Sequence, residues 1–301
     1  MAERTSLAAL ELLVAVDDTG SISAAARELG VSQPTASAGL RRLERRLGVE
    51  LLARGARGTS LTGAGRSAAA WARDVVSSSD RFEDAVAALR AGRGERLRVA
   101  ASLTIAEYLA PRWLGALAGA TTAGDGSPDV ELVVRNSREV MELVLDGVAE
   151  LGFVESPTVR RGLRARTVAT DELVAVVAPR HPWARRRSVS PGELVTGHLV
   201  LREAGSGTRD VLEEALGQAG VRLPDHVTVL GSTVAVKTAV RHGDGITVLS
   251  ALTVADDVAA GHLVTVPIAQ LDLSRRLRVV WRDGATLSRT AQQLVTEAGA
   301  G

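Results

Sequence analysis

From Leu7 onward apolar residues recur at helical spacing, with Leu7, Leu10 and Val14 on one side of a first helix. A second helix is predicted from a Ser23 cap to Leu29, where Gly30 supplies the left-handed stop that a Cβ would resist. Ser32 then caps a third helix with Pro34 in its first turn. In that third helix Ala36, Leu40, Leu43 and Leu47 fall at steps of four, three and four, which makes an apolar stripe able to pack. Pro34, Ala38, Arg41 and Arg45 form a second stripe free to meet a partner. Two capped helices around a tight turn, braced by a third, form the layout of a DNA-reading helix-turn-helix. Taken alone, the basic stripe reads more readily as the solvated face of a surface helix.

After Gly48 short apolar pieces flank Arg54-Gly55-Ala56-Arg57-Gly58, the pattern of a two-stranded wing whose arginines would lie beside a duplex. A solvated surface hairpin is the alternative. Thr62 then caps a long helix to about Arg90, along which Ala64, Ala68, Trp71, Val75, Ser78, Phe82, Ala85 and Leu89 alternate at steps of four and three. Such a heptad argues for pairing with a second copy, packing on its own domain being the other reading. Ala91-Gly92-Arg93-Gly94 reads as a hinge.

From Leu97 short β-branched runs alternate with helical segments. Strands are expected near 97–101, 130–135, 151–154, 164–169, 172–178, 198–202, 226–230, 246–249 and 276–281, and helices near 105–119, 137–146, 208–219, 232–242, 253–260 and 286–298. That alternation implies parallel sheets wrapped by helices in two lobes, with a cleft at the carboxyl ends of the strands. Two helix starts, Ser102-Leu103-Thr104 and Ser206-Gly207-Thr208, offer free N–H groups and small hydroxyls that could hold an anion. Each alone is an ordinary cap; one per lobe suggests a shared cleft.

Composition narrows the function. The 301 residues carry a formal net charge of only +1. Yet between Arg27 and Arg73 stand nine arginines against Glu28, Glu44 and Glu50, so basic charge is concentrated where a phosphate backbone would lie. Zero cysteines exclude disulfides and thiolate chemistry, and the five histidines lack metal-ligand spacing, so no metal and no cofactor are expected. No apolar run of membrane-spanning length and no signal pattern is present, which predicts a cytoplasmic protein without a membrane partner. The glycine-rich GSGTR segment lacks phosphate-loop spacing, and neither GxSxG nor HExxH occurs, so the chain is not expected to be an enzyme.

The segments SISAAARELGVSQPTAS, LRRLERRLGVELLAR and LTGAG, in that order over the first 90 residues, resemble LysR-type transcriptional regulators. ASLTIAEYLAP, LGFVES, DELVAVVAPRHPWA and LREAGSGTR resemble the effector domain of that family, most of all its branch containing regulators of sulfite-reductase operons and of carbon-dioxide fixation. The resemblance implies an α/β protein with an N-terminal winged helix-turn-helix (1–61), a long linker helix (62–92) and a two-lobed periplasmic-binding-protein-like (type 2) effector domain (93–301). Lobe I would take about 95–165 and 266–301, lobe II about 166–265. By position it places Ser32, Gln33, Pro34, Thr35, Ser37, Arg41 and Arg42, with Arg54 and Arg57 in the wing, against DNA. It places Ser102, Leu103, Thr104, Arg202, Ser206, Gly207, Thr208 and Ser232 around an effector, with Arg202 and Arg209 able to balance an anion. The implied partners are double-stranded promoter DNA, a small anionic metabolite, further copies of the chain in a homodimer or homotetramer, and RNA polymerase. Ala38 and Gly39 depart from the family, which commonly has polar side chains there; that shifts expected base reading toward Gln33 and Arg41. Asp244 stands where the family often has an apolar residue.

Overall fold

The computed structural model describes residues 5–55, 58–90, 96–120 and 129–300, leaving aside the side chains of 54, 55, 58, 59, 81, 84, 85 and 87–90. The chain divides into two compact units, Met1–Ala91 and Gly92–Gly301.

In the first unit, α1 (Leu7–Thr19), α2 (Ile22–Glu28) and α3 (Gln33–Leu47) are followed by β1 (Leu52–Gly55), β2 (Gly58–Leu61) and the 28-residue α4 (Gly63–Arg90). Leu13, Val16, Ala25, Ala36, Leu40 and Leu43 are buried together, so the third helix packs on the stripe its spacing predicts. Leu47 does not join it; as the last helical residue before the Gly48 cap it is 44% exposed. The cap of α2 is Ser21, not Ser23: Ser21 is extended and its Oγ accepts from Ala24 N at 3.0 Å, whereas Ser23 already lies inside the helix. Gly30 has φ +65°, as the turn between α2 and α3 requires. Ser32 caps α3 by accepting from Thr35 N at 3.3 Å.

The hairpin β1–β2 is antiparallel and tied to its neighbours at both ends. Glu44 Oε1 accepts from Leu51 N and Leu52 N, each at 2.9 Å, which fixes the start of the wing to α3. Thr62 Oγ1 caps α4 by accepting from Gly65 N at 2.9 Å and donates to Glu50 O at 2.7 Å. A Cβ on Gly65 would stand 2.2 Å from Leu51 O, so the LTGAG glycine is there for close backbone approach. On α4, Ala69 and Ala72 face the helix-turn-helix core.

The second unit runs β3 (Leu97–Ala101), α5 (Leu103–Tyr108), α6 (Ala110–Gly119), β4 (Val130–Val134), α7 (Ser137–Leu145), β5 (Leu151–Val154), β6 (Leu163–Val177), α8 (Pro191–Thr196), β7 (Val200–Arg202), α9 (Gly207–Gln218), β8 (Thr228–Leu230), α10 (Thr233–His242), β9 (Thr247–Ser250), α11 (Ala251–Ala259), β10 (Val264–Val266), β11 (Ser274–Arg282) and α12 (Arg289–Gly299), with a 3-10 turn at Pro182–Arg185. The helix expected over 105–119 is two helices: Pro111 has no N–H to continue the ladder and its ring would clash with the carbonyl four residues back, so the run breaks at Leu109 and Pro111 sits in the first turn of α6. The short α8, β10 and 3-10 turn carry too little periodicity to be seen in the sequence.

The expectation of wholly parallel sheets also changes. β3 pairs in parallel with β4 and β5, and β7 with β8. The two strands predicted at 164–169 and 172–178 are instead one 15-residue strand, β6, running antiparallel to β11. These two strands cross between lobes: β11 pairs β5 at Arg278–Val280, while β6 carries β9 and β10 at its far end, Leu173–Val177. One core gathers Leu97, Trp113, Phe153, Val168, Leu277 and Leu294; the other gathers Leu173, Leu199, Leu212, Ile246, Val266 and Leu273. The lobes therefore change over between Val168 and Leu173 and between Leu273 and Leu277, several residues beyond the expected 165/166 and 265/266. Among the described residues no helix is long and apolar enough to cross a membrane.

Candidate functional site

On α3, Ser32, Gln33, Pro34, Thr35, Arg41 and Arg42 are exposed and Ser37 is half-exposed. The polar ones at the helix start bond among themselves: Ser32 Oγ lies 2.8 Å from Thr35 Oγ1, and Gln33 Nε2 donates to Ser37 Oγ at 3.3 Å. Ala38, Arg41 and Arg45 continue that exposed face. Gly39 does not belong to it, since a Cβ there would come within 3.3 Å of Leu12 Cδ2 on α1. Its missing side chain therefore lets two helices approach and removes nothing from the outward face. Arg54 lies on β1 with its side chain outside the described residues, and Arg57 is outside them altogether.

The second cluster lies where the lobes of the second unit meet. Ser102 and Thr104 at the start of α5 are each 1% exposed, with Leu103 between them half-buried. Ser206 and Thr208 at the start of α9 are 1% and 3% exposed. Arg275 joins the two starts: Nη1 donates to Thr208 Oγ1 at 3.0 Å and Nη2 to Thr104 Oγ1 at 3.3 Å. Its Nε donates to Asp171 Oδ2 at 2.8 Å, and Nη2 stands 2.7 Å from that oxygen and 3.4 Å from Glu155 Oε2. Thr208 Oγ1 in turn donates to Glu155 Oε1 at 3.4 Å, and Ser250 Oγ to Asp171 Oδ1 at 2.9 Å. The side chains of Arg275, Asp171 and Glu155 are only 1 to 2% exposed, so the ion network is held away from water.

Further bonds close the lobes on each other. Arg138 N donates to Gly205 O at 3.1 Å, Ser156 Oγ to Asp210 Oδ2 at 3.2 Å and Tyr108 Oη to Thr253 O at 3.3 Å. Burial pushes the Asp210 carboxyl above its ordinary range, against the opposing pull of the Ser156 hydroxyl and the Arg138 cation. Within this closed cleft the hydroxyls Ser102 Oγ and Ser206 Oγ and the carboxylate oxygen Glu155 Oε2 have no hydrogen-bond partner. Two buried hydroxyls without a partner, and a carboxylate oxygen held only by the 3.4 Å ion pair to Arg275, are costly unless something else bonds to them.

Arg202 stands apart from this cluster. It is 2% exposed, gripped by Glu203 through Nε at 2.8 Å and Nη2 at 2.9 Å, and donates from Nη1 to Thr233 Oγ1 at 3.2 Å. Arg209 pairs with Glu213 at 2.7 Å. Both cations expected to balance an anion are thus already matched within their own lobe. Ser232 caps α10, accepting from Ala235 N at 3.1 Å, beside the Thr233 that Arg202 reaches. Asp244 sits at the exposed edge, 3.1 Å from His198 Nδ1, and that contact, first among its hydrogen bonds, holds its carboxyl below the usual range. Sequence reasoning did not single out Glu155, Asp171 or Arg275. Two of them stood inside the segments LGFVES and DELVAVVAPRHPWA, but nothing local marks them as partners.

Residues 7–66 match the bacterial regulatory helix-turn-helix protein family of LysR type, and residues 90–300 match the LysR substrate binding domain. The chain belongs to the LysR family. It is a DNA-binding transcriptional regulator with an effector-binding domain, and the relatives it matches are named as regulators, not enzymes. An uncharacterized HTH-type transcriptional regulator of Mycobacterium tuberculosis is 42% identical over 286 residues, 93% of this chain and 91% of that one. The transcriptional regulator CbbR of Rhodospirillum rubrum is 31% identical over 275 residues, 91% and 89% of the two chains. The regulatory domain of CcmR from Synechocystis PCC6803, solved in complex with 2-PG, is 27% identical with a TM-score of 0.61 and covers 68% of this chain and 96% of its own.

Proposed function

We propose that this regulator senses a small anionic metabolite in the cleft between Ser102–Thr104 and Ser206–Thr208, and that it acts on paired promoter half-sites as a dimer or a dimer of dimers. The observation that carries the effector reading is the trio of buried atoms without a hydrogen bond, Ser102 Oγ, Ser206 Oγ and Glu155 Oε2, the last held only by its ion pair to Arg275, beside Thr104 and Thr208. Two hydroxyls can donate to an anionic oxygen, while Glu155 Oε2 asks for a donor. With Asp171 and Glu155 outnumbering Arg275, a bare anion is a poor match. A ligand carrying both an acidic group and a hydroxyl or amine satisfies all three. The complex of CcmR with 2-PG supports small-molecule occupation of this kind of domain.

Pairing is supported by α4, where Trp71 is 72%, Val75 50% and Phe82 64% exposed on the predicted seam while Ala69 and Ala72 face the core. A two-fold pair would set two α3 helices on half-sites about one helical turn apart or a multiple of it. A change in cleft closure would alter how those half-sites are spaced or the promoter bent, with RNA polymerase as the machine that reads the difference. The reading assigns the protein no resident metal or cofactor and places it with the chromosome in the bacterial cytoplasm.

A thermal-shift screen of small hydroxy acids, amino acids and simple carboxylates tests the cleft. Thr104→Ala and Ser206→Ala should each abolish the shift that a hit gives with the unaltered chain. A full shift in both variants would move the effector elsewhere. Affinity for a promoter fragment should fall steeply as salt rises, and a flat response would sink the DNA reading.

A further inference from the structure

Strand β11 reads Ser274-Arg275-Arg276-Leu277-Arg278, and the strand period sends alternate side chains to opposite faces. Arg275 and Leu277 are buried on one face. Ser274, Arg276 and Arg278 lie on the other face and, together with an edge of Arg275, line a cavity of about 320 Å³ behind the crossing strands. Val211, Ala215 and Pro157 supply an apolar wall, and Glu214 and Asp272 also line the space.

Arg278 is half-buried there, and its Nη1 donates to two neutral backbone acceptors, Ser156 O at 2.8 Å and Pro157 O at 3.4 Å. Burial and then the neighbouring Arg276 cation depress its pKa. Among the described residues the ion pairs within 4.0 Å include neither Arg276 nor Arg278.

We propose that this cavity is a second small-molecule site, beside the effector cleft and sharing Arg275 with it, and that it takes a monoanionic carboxylate with an apolar body. The carboxylate would lie against Arg276 and Arg278, where a guanidinium can give two parallel N–H donors. The body would cover Val211, Ala215 and Pro157. Glu214 and Asp272 disfavour more highly charged ligands such as phosphate. The volume suits a ring or short chain, near the lower end of ordinary ligand pockets. The cavity is lined by Pro157, and Arg278 on its wall bonds Ser156 O, next to the Glu155 that faces the cleft, so occupancy here bears on the same short segment.

The test uses fluorine NMR of 4-fluorobenzoate with the full chain, beside neutral 4-fluorobenzamide and competition by inorganic phosphate. Line broadening is expected for the benzoate, little for the amide, and phosphate should not displace it. Arg276→Glu, at an exposed position, and Ala215→Leu, which fills the cavity, should each weaken benzoate binding by about tenfold or more. Ser206→Ala, in the cleft, should leave it unchanged. Absence of benzoate binding, equal binding of the amide, displacement by phosphate, or loss in Ser206→Ala with retention in Arg276→Glu would each overturn the proposal. The last result would assign the ligand to the cleft and leave the proposed effector reading standing.

Discussion

Gly207 and Gly217 lie on the same helix, α9, and neither has a left-handed φ, yet replacing each with alanine should move stability in opposite directions. A Cβ on Gly207 would stand 2.6 Å from Glu155 Cγ, 2.7 Å from Glu155 C and 2.7 Å from Ser156 N. Those gaps fall most of an ångström short of the 3.4 Å where ordinary contact begins. Two of the three atoms are backbone, so a rotamer change cannot relieve the clash. Either α9 or the 155–156 segment must retreat, and the two come from opposite lobes.

Overpacking of this kind costs about 1–3 kcal/mol, which for a domain of this size is a fall in Tm of roughly 2–12 °C. The retreat would also stretch the Thr208 to Glu155 bond, already 3.4 Å, and the Ser156 to Asp210 bond at 3.2 Å. Gly207→Ala should therefore open the cleft, raise hydrogen exchange at 155–158 and 205–210, and blunt any effector response. A Cβ on Gly217 meets nothing within 4 Å, so Gly217→Ala should gain about 0.5–1 kcal/mol from helix propensity alone. Thermal unfolding of the two variants side by side is the measurement. Shifts of the same sign and size, or unchanged exchange across the cleft in Gly207→Ala, would refute the argument that the lobes are gauged against each other at this glycine.

Arg275→Met leaves Asp171 and Glu155 buried without their cation and should cost about 3–5 kcal/mol in urea unfolding; adding Asp171→Leu should recover part of that, and a double variant no better than the single would show that the charges are not coupled. Trp71→Asp and Phe82→Asp change exposed positions and should leave helical content intact while shifting sedimentation toward monomer and weakening promoter binding; a variant that stays associated would place the pairing surface elsewhere. The Arg186 guanidinium, with the backbone and hydroxyl of Ser190, holds the Glu193 carboxyl at about 2 against an ordinary 4.5. Its folded pKa is depressed, so its stabilisation is present above about pH 4.5 and lost as pH falls from there toward 2. Glu193→Gln should flatten the acid limb of stability in that window, and superimposable acid limbs would count against the contact.

What could be read from the chain alone follows the range of the interactions. The helix-turn-helix was legible because its signals are local: the Ser32 cap, the Gly30 stop and the Ala36, Leu40 and Leu43 stripe act within one or two turns. Even there the missing side chain at Gly39 looked like a loss on the DNA face, and only the packed position of Leu12 shows that it serves helix approach. In the second unit the sequence broke β6 at Thr170-Asp171, because a polar pair inside an apolar run reads as a turn when its partner is unknown. The partner lies about a hundred residues away. Asp171 pairs in register with Arg275 across β6 and β11, and their buried ion pair lets the strand continue through a position that its own neighbours would end. That join also brings Thr104 and Thr208 onto one guanidinium. The interruption in the hydrophobic pattern and the centre of the cleft are therefore the same residues, which is where local consistency is expected to fail when a chain places charge inside a core to build a site.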